Sequence, residues 1–148
     1  LWKDTPKNLK KNPILLNAFC LRLINPNLED ISEKEILSYM KRNYSEALIK
    51  TYLKINHSDP QKPLKKINQW IENYGNQPEL LTSAAKICKK AKLWDQAKDF
   101  IEEAINVNPT TENLFILGEI LFHFGKINSA CETYRKGLNI KLSNESNE

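Results

Sequence analysis

The chain contains two copies of one helical-hairpin pattern, in residues 78–110 and 111–143, offset by thirty-three residues. Small residues recur where two helices must approach closely, and large apolar residues recur where they interlock. The matching positions are Leu81 and Leu114, Ala85 and Gly118, Ala97 and Ala130, Ile101 and Tyr134, and Ala104 and Gly137. This pattern indicates a stacked helical array, because one hairpin cannot bury its apolar stripe alone.

A period of about 34 residues is typical of tetratricopeptide (TPR) repeats. The sequence therefore predicts an all-α fold, an α-α superhelix (TPR solenoid) of about four helical hairpins. Such arrays are usually binding scaffolds, so the pattern favours a protein that is not an enzyme.

Hydrophobic spacing and helix-end signals predict eight helices. Pro13 suits a first helical position, Ser32 with Glu35 reads as a capping box, and Gly75 and Gly125 suit turns that require a positive φ. The predicted ranges are 13–24, 33–42, 45–56, 63–74, 78–91, 94–106, 111–124 and 127–141.

We expect residues 1–142 to form a single TPR-like α-solenoid domain. Within it, residues 1–60 match the repeat template poorly and read as degenerate hairpins or a helical cap, and residues 61–142 read as clearer TPR hairpins. Residues 143–148 read as a flexible polar tail. The opening residue is not Met, so we expect the chain to be part of a longer protein.

The net charge is +4, and the lysines are clustered. The plain interpretation is solvated helix faces, and the alternative is attraction to an anionic membrane surface or an acidic partner. Nucleic acid is not expected, because Arg is scarce and no binding motif is present. The clusters are Lys3, Lys7, Lys10 and Lys11; Lys62, Lys65 and Lys66; and Lys86, Lys89, Lys90 and Lys92.

The residues that usually carry chemistry are isolated. Cys20, Cys88 and Cys131 form no Cys-x-x-Cys pair, and we expect them to pack as small apolar residues. The two histidines, His57 and His123, fall in hairpins two steps apart and are too distant to share a metal. We therefore expect no catalytic residue, no metal ligand and no cofactor.

The aromatic residues divide into two groups. Trp70, Trp94, Phe100 and Tyr134 are expected in the core, whereas Phe115 and Phe122 are expected on the concave face beside lysines. Such a groove would suit an acidic, partly apolar peptide. The alternative is that these side chains pack against a missing neighbouring element or against the C-terminal helix. The predicted partner-binding groove consists of Thr82, Lys86, Lys89, Lys90, Phe115, Glu119, Phe122 and His123.

Several segments together resemble the C-terminal TPR domain of the HemY family. They are Leu1-Trp2 with Pro6, Leu9 and Asn12-Pro13; Gln69-Trp70-Ile71 with Gln77-Pro78-Glu79-Leu80-Leu81; Leu93-Trp94-Asp95-Gln96-Ala97; Asn108-Pro109-Thr110-Thr111-Glu112; and Tyr134-Arg135-Lys136-Gly137-Leu138. The resemblance is strongest after residue 66 and weakest across 25–60, where Asn25-Pro26-Asn27 departs from a compact hairpin.

The resemblance implies the soluble part, on the cytoplasmic side, of a bacterial inner-membrane protein associated with haem and porphyrin biosynthesis. Its partners would be proteins or peptides of the tetrapyrrole pathway, and membrane attachment would come from N-terminal helices outside this sequence. An unrelated flavin-dependent oxidase shares the family's name, but its G-x-G-x-x-G motif is absent here. The alternatives are a direct haem or porphyrin carrier and a TPR adaptor for another membrane-associated assembly.

Overall fold

The computed structural model describes residues 5–25 and 27–145, and in these ranges it contains nine helices and no strand. Eight correspond to the predicted helices, and α1 is an additional single turn. Leu1, Trp2 and Pro26, quoted above for the resemblance, and residues 146–148 of the predicted tail lie outside the described residues. The helices are α1 (Lys7–Lys10), α2 (Pro13–Arg22), α3 (Glu29–Tyr39), α4 (Glu46–Tyr52), α5 (Gln61–Tyr74), α6 (Pro78–Lys90), α7 (Trp94–Val107), α8 (Thr111–His123) and α9 (Ile127–Glu145).

Several helix ends differ from the prediction, and three of them have a clear structural account. α2 and α4 end earlier than residues 24 and 56, because tight turns follow them: the N–H of Leu23 donates to the carbonyl of Cys20, and that of Lys54 to Thr51, each at 3.0 Å. α9 instead continues to Glu145, so residues 143–145 of the predicted tail are helical. Whether the tail is flexible remains a prediction.

The chain divides into two compact units, Leu1–Ser58 and Asp59–Glu148. The boundary lies two residues before the predicted change from degenerate to clearer hairpins. In unit 2, α5 packs on α6, α6 on α7, α7 on α8, and α8 on α9, and α6 also meets α8. Consecutive helices therefore stack in chain order, as the repeat requires. The single-domain assignment of residues 1–142 stays a prediction.

The small residues of the repeat lie at helix contacts in unit 2. Ala97, Ala104 and Ala130 are fully buried, and Gly137 is buried as well. The register of the two hairpins is therefore confirmed. One pair of positions carries different side chains in the two hairpins. Ala85 of α6 and Ile101 of α7 in the first hairpin correspond to Gly118 of α8 and Tyr134 of α9 in the second.

The turns after α6 and α8 share one backbone conformation. Lys92 and Gly125 are 33 residues apart and have φ values of 60° and 72°. In both turns the N–H of the following residue donates to the carbonyl five residues back, at 2.9 and 3.0 Å. This is the bonding of a Schellman motif, which normally favours glycine at the positive-φ position. Gly75 also has a positive φ, 77°, as predicted.

Unit 1 is organised around α2, which packs against α1, α3 and α4. Asn12 caps α2, because its Oδ1 accepts the N–H of Ile14 at 2.9 Å. The predicted capping box at Ser32 is wrong. α3 begins at Glu29, and Ser32 is buried within it, where its hydroxyl donates to the carbonyl of Cys20 at 3.2 Å. This serine therefore takes part in a contact between α3 and α2 and does not cap α3.

Several residues predicted to be buried are more exposed. Trp70 is in the core, but Trp94, Phe100 and Tyr134 are only half-buried. The cysteine prediction also needs correction. Cys20 and Cys88 are buried, and burial raises the pKa of each thiol to about 11, whereas Cys131 is exposed on α9.

Candidate partner-binding face

α6 and α8 are joined by a buried hydrogen bond. The Thr82 hydroxyl lies 2.9 Å from Oδ1 of Asn113 and 2.8 Å from the carbonyl of Pro78. Asn113 is itself buried, and its Nδ2 donates to the carbonyl of Asn108 at 3.4 Å. The prediction that Thr82 lines a groove is therefore wrong, because its side chain is 3% exposed and bonded inside the helix contact.

Two ion pairs lie beside this hydrogen bond and also join α6 to α8. Lys86 Nζ is 2.6 Å from Oε1 of Glu112, and Lys89 Nζ is 2.5 Å from Oε2 of Glu119. All four groups are partly exposed, so each pair contributes only about 0–1 kcal/mol to stability. Their larger effect is on charge, because two of the three predicted groove lysines already have a carboxylate partner. Lys90, in contrast, is exposed.

Phe115 and Phe122 lie on one side of α8. They are seven residues apart, which is about two turns, and their side chains are 56% and 60% exposed. The ring of Phe115 lies 5.5 Å, between centroids, from the ring of Tyr134 on α9. Half-exposed aromatic side chains in a row are unusual outside binding surfaces. The structure thus places both predicted phenylalanines on the surface, with Phe115 turned toward α9.

A small cleft of about 200 Å³ adjoins Phe115 between α8 and α9. Leu138, at its edge, is 59% exposed. The equivalents of Phe115 and Tyr134 one repeat earlier, Thr82 and Ile101, are buried. We refer to Phe115, Phe122, Tyr134 and Leu138 as the open face of the last hairpin. Tyr134 and Leu138 were absent from the predicted groove, although the repeat aligns Tyr134 with Ile101 and so marks it as a position at a helix contact. The cleft is lined by Thr111, Phe115, Tyr134, Gly137 and Leu138.

His123 ends α8 and stacks on Trp94, with ring centroids 3.8 Å apart and an interplanar angle of 17°. One face of the imidazole is therefore covered by indole. His57, in unit 1, lies 4.9 Å from the ring of Tyr52. Across residues 5–25 and 27–145, no group of three or more His, Cys, Asp or Glu side chains is arranged to hold a metal. In the same ranges, no helix has the length and apolarity to span a bilayer.

Stacked helical hairpins with small residues at their contacts define a TPR-type helical-repeat protein. The crystal structure of MamA, a TPR-containing protein, has the same fold, an α-α superhelix: the TM-score is 0.71 at 14% identity, covering 95% of this chain and 86% of that chain.

In sequence, the chain is similar to Protein HemY of Escherichia coli K12 and of Shigella flexneri, at 24% identity over 143 residues. The match covers 97% of this chain, and the chain spans about a third, 36%, of each relative's length. The predicted HemY resemblance is therefore confirmed. No family model matches the chain.

Proposed function

We propose that this chain is a non-catalytic scaffold that binds a partner protein or peptide on the open face of its last hairpin. The observation that carries the proposal is the exposure of Phe115 and Phe122 in a row on α8. Large aromatic side chains commonly supply most of the affinity of a protein interface. Their exposure without a partner also costs hydrophobic free energy, which an interface would recover.

The ion pairs change the expected mode of recognition. Because Lys86 and Lys89 already bind Glu112 and Glu119, they do not offer two unpaired cations to an acidic peptide. Apolar anchoring by the open face therefore dominates affinity, and exposed Lys90 contributes mainly to association rate and salt dependence.

The similarity to HemY supports a membrane-associated parent protein. We further propose that the membrane is a bacterial inner membrane and that this region lies on its cytoplasmic side. On that basis the partners are proteins of haem or porphyrin biosynthesis. The chain corresponds to about a third of its HemY relatives, so both points are proposals about the whole protein. A TPR adaptor for another membrane assembly would capture different proteins in the experiment below.

A capture experiment tests the proposal. The 148-residue chain is immobilised and exposed to lysate of a bacterium that contains a HemY-like protein, and the proteins that it retains are identified. We expect the double variant Phe115→Ala and Phe122→Ala to lose the captured protein while its circular dichroism stays unchanged. The matched control is the double variant Ile14→Ala and Val107→Ala, which removes two other exposed apolar side chains. Equal capture by wild type and the Phe double variant would refute the proposed face.

A further inference from the structure

The net positive charge of the chain comes entirely from unit 1, because the charges of unit 2 balance. Residues 1–58 contain ten Lys and Arg against six Asp and Glu, whereas residues 59–148 contain twelve of each. The net charge of +4 is therefore the charge of unit 1 alone. The lysine clusters of unit 2, although conspicuous in the sequence, are balanced by carboxylates, as the pairs Lys86–Glu112 and Lys89–Glu119 illustrate.

Five of the cations of unit 1 surround one cleft of about 420 Å³. They come from separate segments: α1, the turn before α2, and the loop that follows α3. One carboxylate, Glu35, accompanies them. This lining has the same net charge as the whole chain. The basic cleft is lined by Lys7, Lys10, Lys11, Leu16, Glu35, Ser38, Tyr39, Lys41, Arg42 and Asn43.

Ordinary structural roles explain only part of this arrangement. Lys41 and Arg42 follow the C-terminus of α3, where cations offset the negative end of the helix dipole. Lys7 and Lys11 belong to other segments, and the α3 dipole does not account for their position around the same cleft. None of Lys7, Lys11, Lys41 and Arg42 forms an ion pair with a carboxylate of the described residues. Among the described residues that line the cleft, Glu35 is therefore the one carboxylate that offsets their mutual repulsion.

We propose that the basic cleft binds a phosphate group, carried either by a phospholipid headgroup or by a soluble phosphorylated compound. A phosphate has several charged oxygens in a tetrahedral arrangement, which suits cations that approach from several directions. Arg42 can donate two parallel hydrogen bonds to it, and the lysines act as point charges. Ser38 and Tyr39 line the same cleft, and their hydroxyls are available as neutral donors. Its volume falls in the range of small-molecule sites.

The test measures pyrophosphate binding to the full 148-residue chain by isothermal titration calorimetry at constant ionic strength. Citrate is the carboxylate comparison. In parallel, flotation with phosphatidylglycerol and phosphatidylcholine vesicles tests the lipid source. Binding to pyrophosphate and to phosphatidylglycerol vesicles would assign the phosphate to a headgroup. Binding to pyrophosphate alone would assign it to a soluble compound.

The double variant Lys41→Gln and Arg42→Gln should weaken pyrophosphate binding at least about tenfold, since charge-assisted hydrogen bonds are lost. The matched control is Lys65→Gln and Lys66→Gln in α5, which removes the same charge beside Glu72 in unit 2. Three results would overturn the proposal: no saturable pyrophosphate binding, citrate binding as tight as pyrophosphate binding, or equal loss in the control variant. Loss of partner capture by the open face would leave this result unaffected.

Discussion

Replacing Gly118 by Ala tests how α8 and α9 pack against each other. A Cβ added at Gly118 would lie 2.6 Å from Cδ1 and 2.7 Å from Cζ of Tyr134, and closer still to Cε1. Carbon atoms in contact normally lie about 3.5–4.0 Å apart. The Tyr134 ring must therefore move by about 1 Å or rotate away from α8.

Overpacking of this kind costs about 1–3 kcal/mol. Ala also favours a helix over Gly by about 1 kcal/mol, which offsets part of the cost. Gly137→Ala supplies the matched control, because its added Cβ would meet Leu114 Cβ at 3.4 Å, at the edge of ordinary contact. Both substitutions gain the same helix propensity, so the difference between them isolates the packing cost.

Urea and thermal denaturation followed by circular dichroism measure this difference. We expect Gly118→Ala to be less stable than Gly137→Ala by about 1–3 kcal/mol, and each kcal/mol lowers the Tm of a unit of this size by roughly 4–8 °C. Adding Tyr134→Ile recreates the Ala85–Ile101 pair of the preceding repeat and should restore stability. The packing argument is refuted if Gly118→Ala is as stable as Gly137→Ala.

Four further predictions follow from single features of the fold. Ala97→Leu should lower the free energy of unfolding by about 1–3 kcal/mol, and an unchanged denaturation midpoint would contradict the repeat register. Lys92→Gly should raise the free energy of unfolding by about 0.5–1 kcal/mol in the same assay, because glycine adopts the left-handed backbone conformation of this position without the strain that a side chain causes. Only Cys131 should react with a thiol reagent in the native chain between about pH 7 and pH 9, because burial keeps the other two thiols protonated; three reactive thiols would contradict this. Titration with haem should give no Soret shift that depends on His123, since indole covers one face of that imidazole. A Soret shift that the His123→Ala variant lost would contradict this prediction.

The repeat made the fold of unit 2 predictable from sequence. Ala97, Ala104 and Gly125 occupy positions whose requirements are local: a small side chain at a helix contact, or a positive φ in a turn. Unit 1 was less predictable, because the role of Ser32 depends on α2 lying against α3. A hydroxyl near an apparent helix start looks the same in sequence whether it caps a helix or bonds to a neighbouring one.

The candidate site was predictable only in part. The exposure of Phe115 and Phe122 follows from the helical register, and the spacing of apolar residues in the sequence predicts that register. The bonds of Thr82 to Asn113 and of Lys89 to Glu119 join residues about thirty positions apart. Such bonds depend on the rotation of one helix against the next, and spacing within one helix does not define that rotation.

The stack of Trp94 on His123 gives the chain an internal optical reporter. Indole emission is sensitive to a neighbouring imidazole, and more so when the imidazole is protonated. His123 follows Phe122 directly in α8, so a molecule that settles on the open face would alter the surroundings of the Trp94 ring. Trp70, buried in α5, and Trp2 would also contribute to the emission. Occupancy of the last hairpin can therefore be followed by intrinsic fluorescence, with no label attached to the protein.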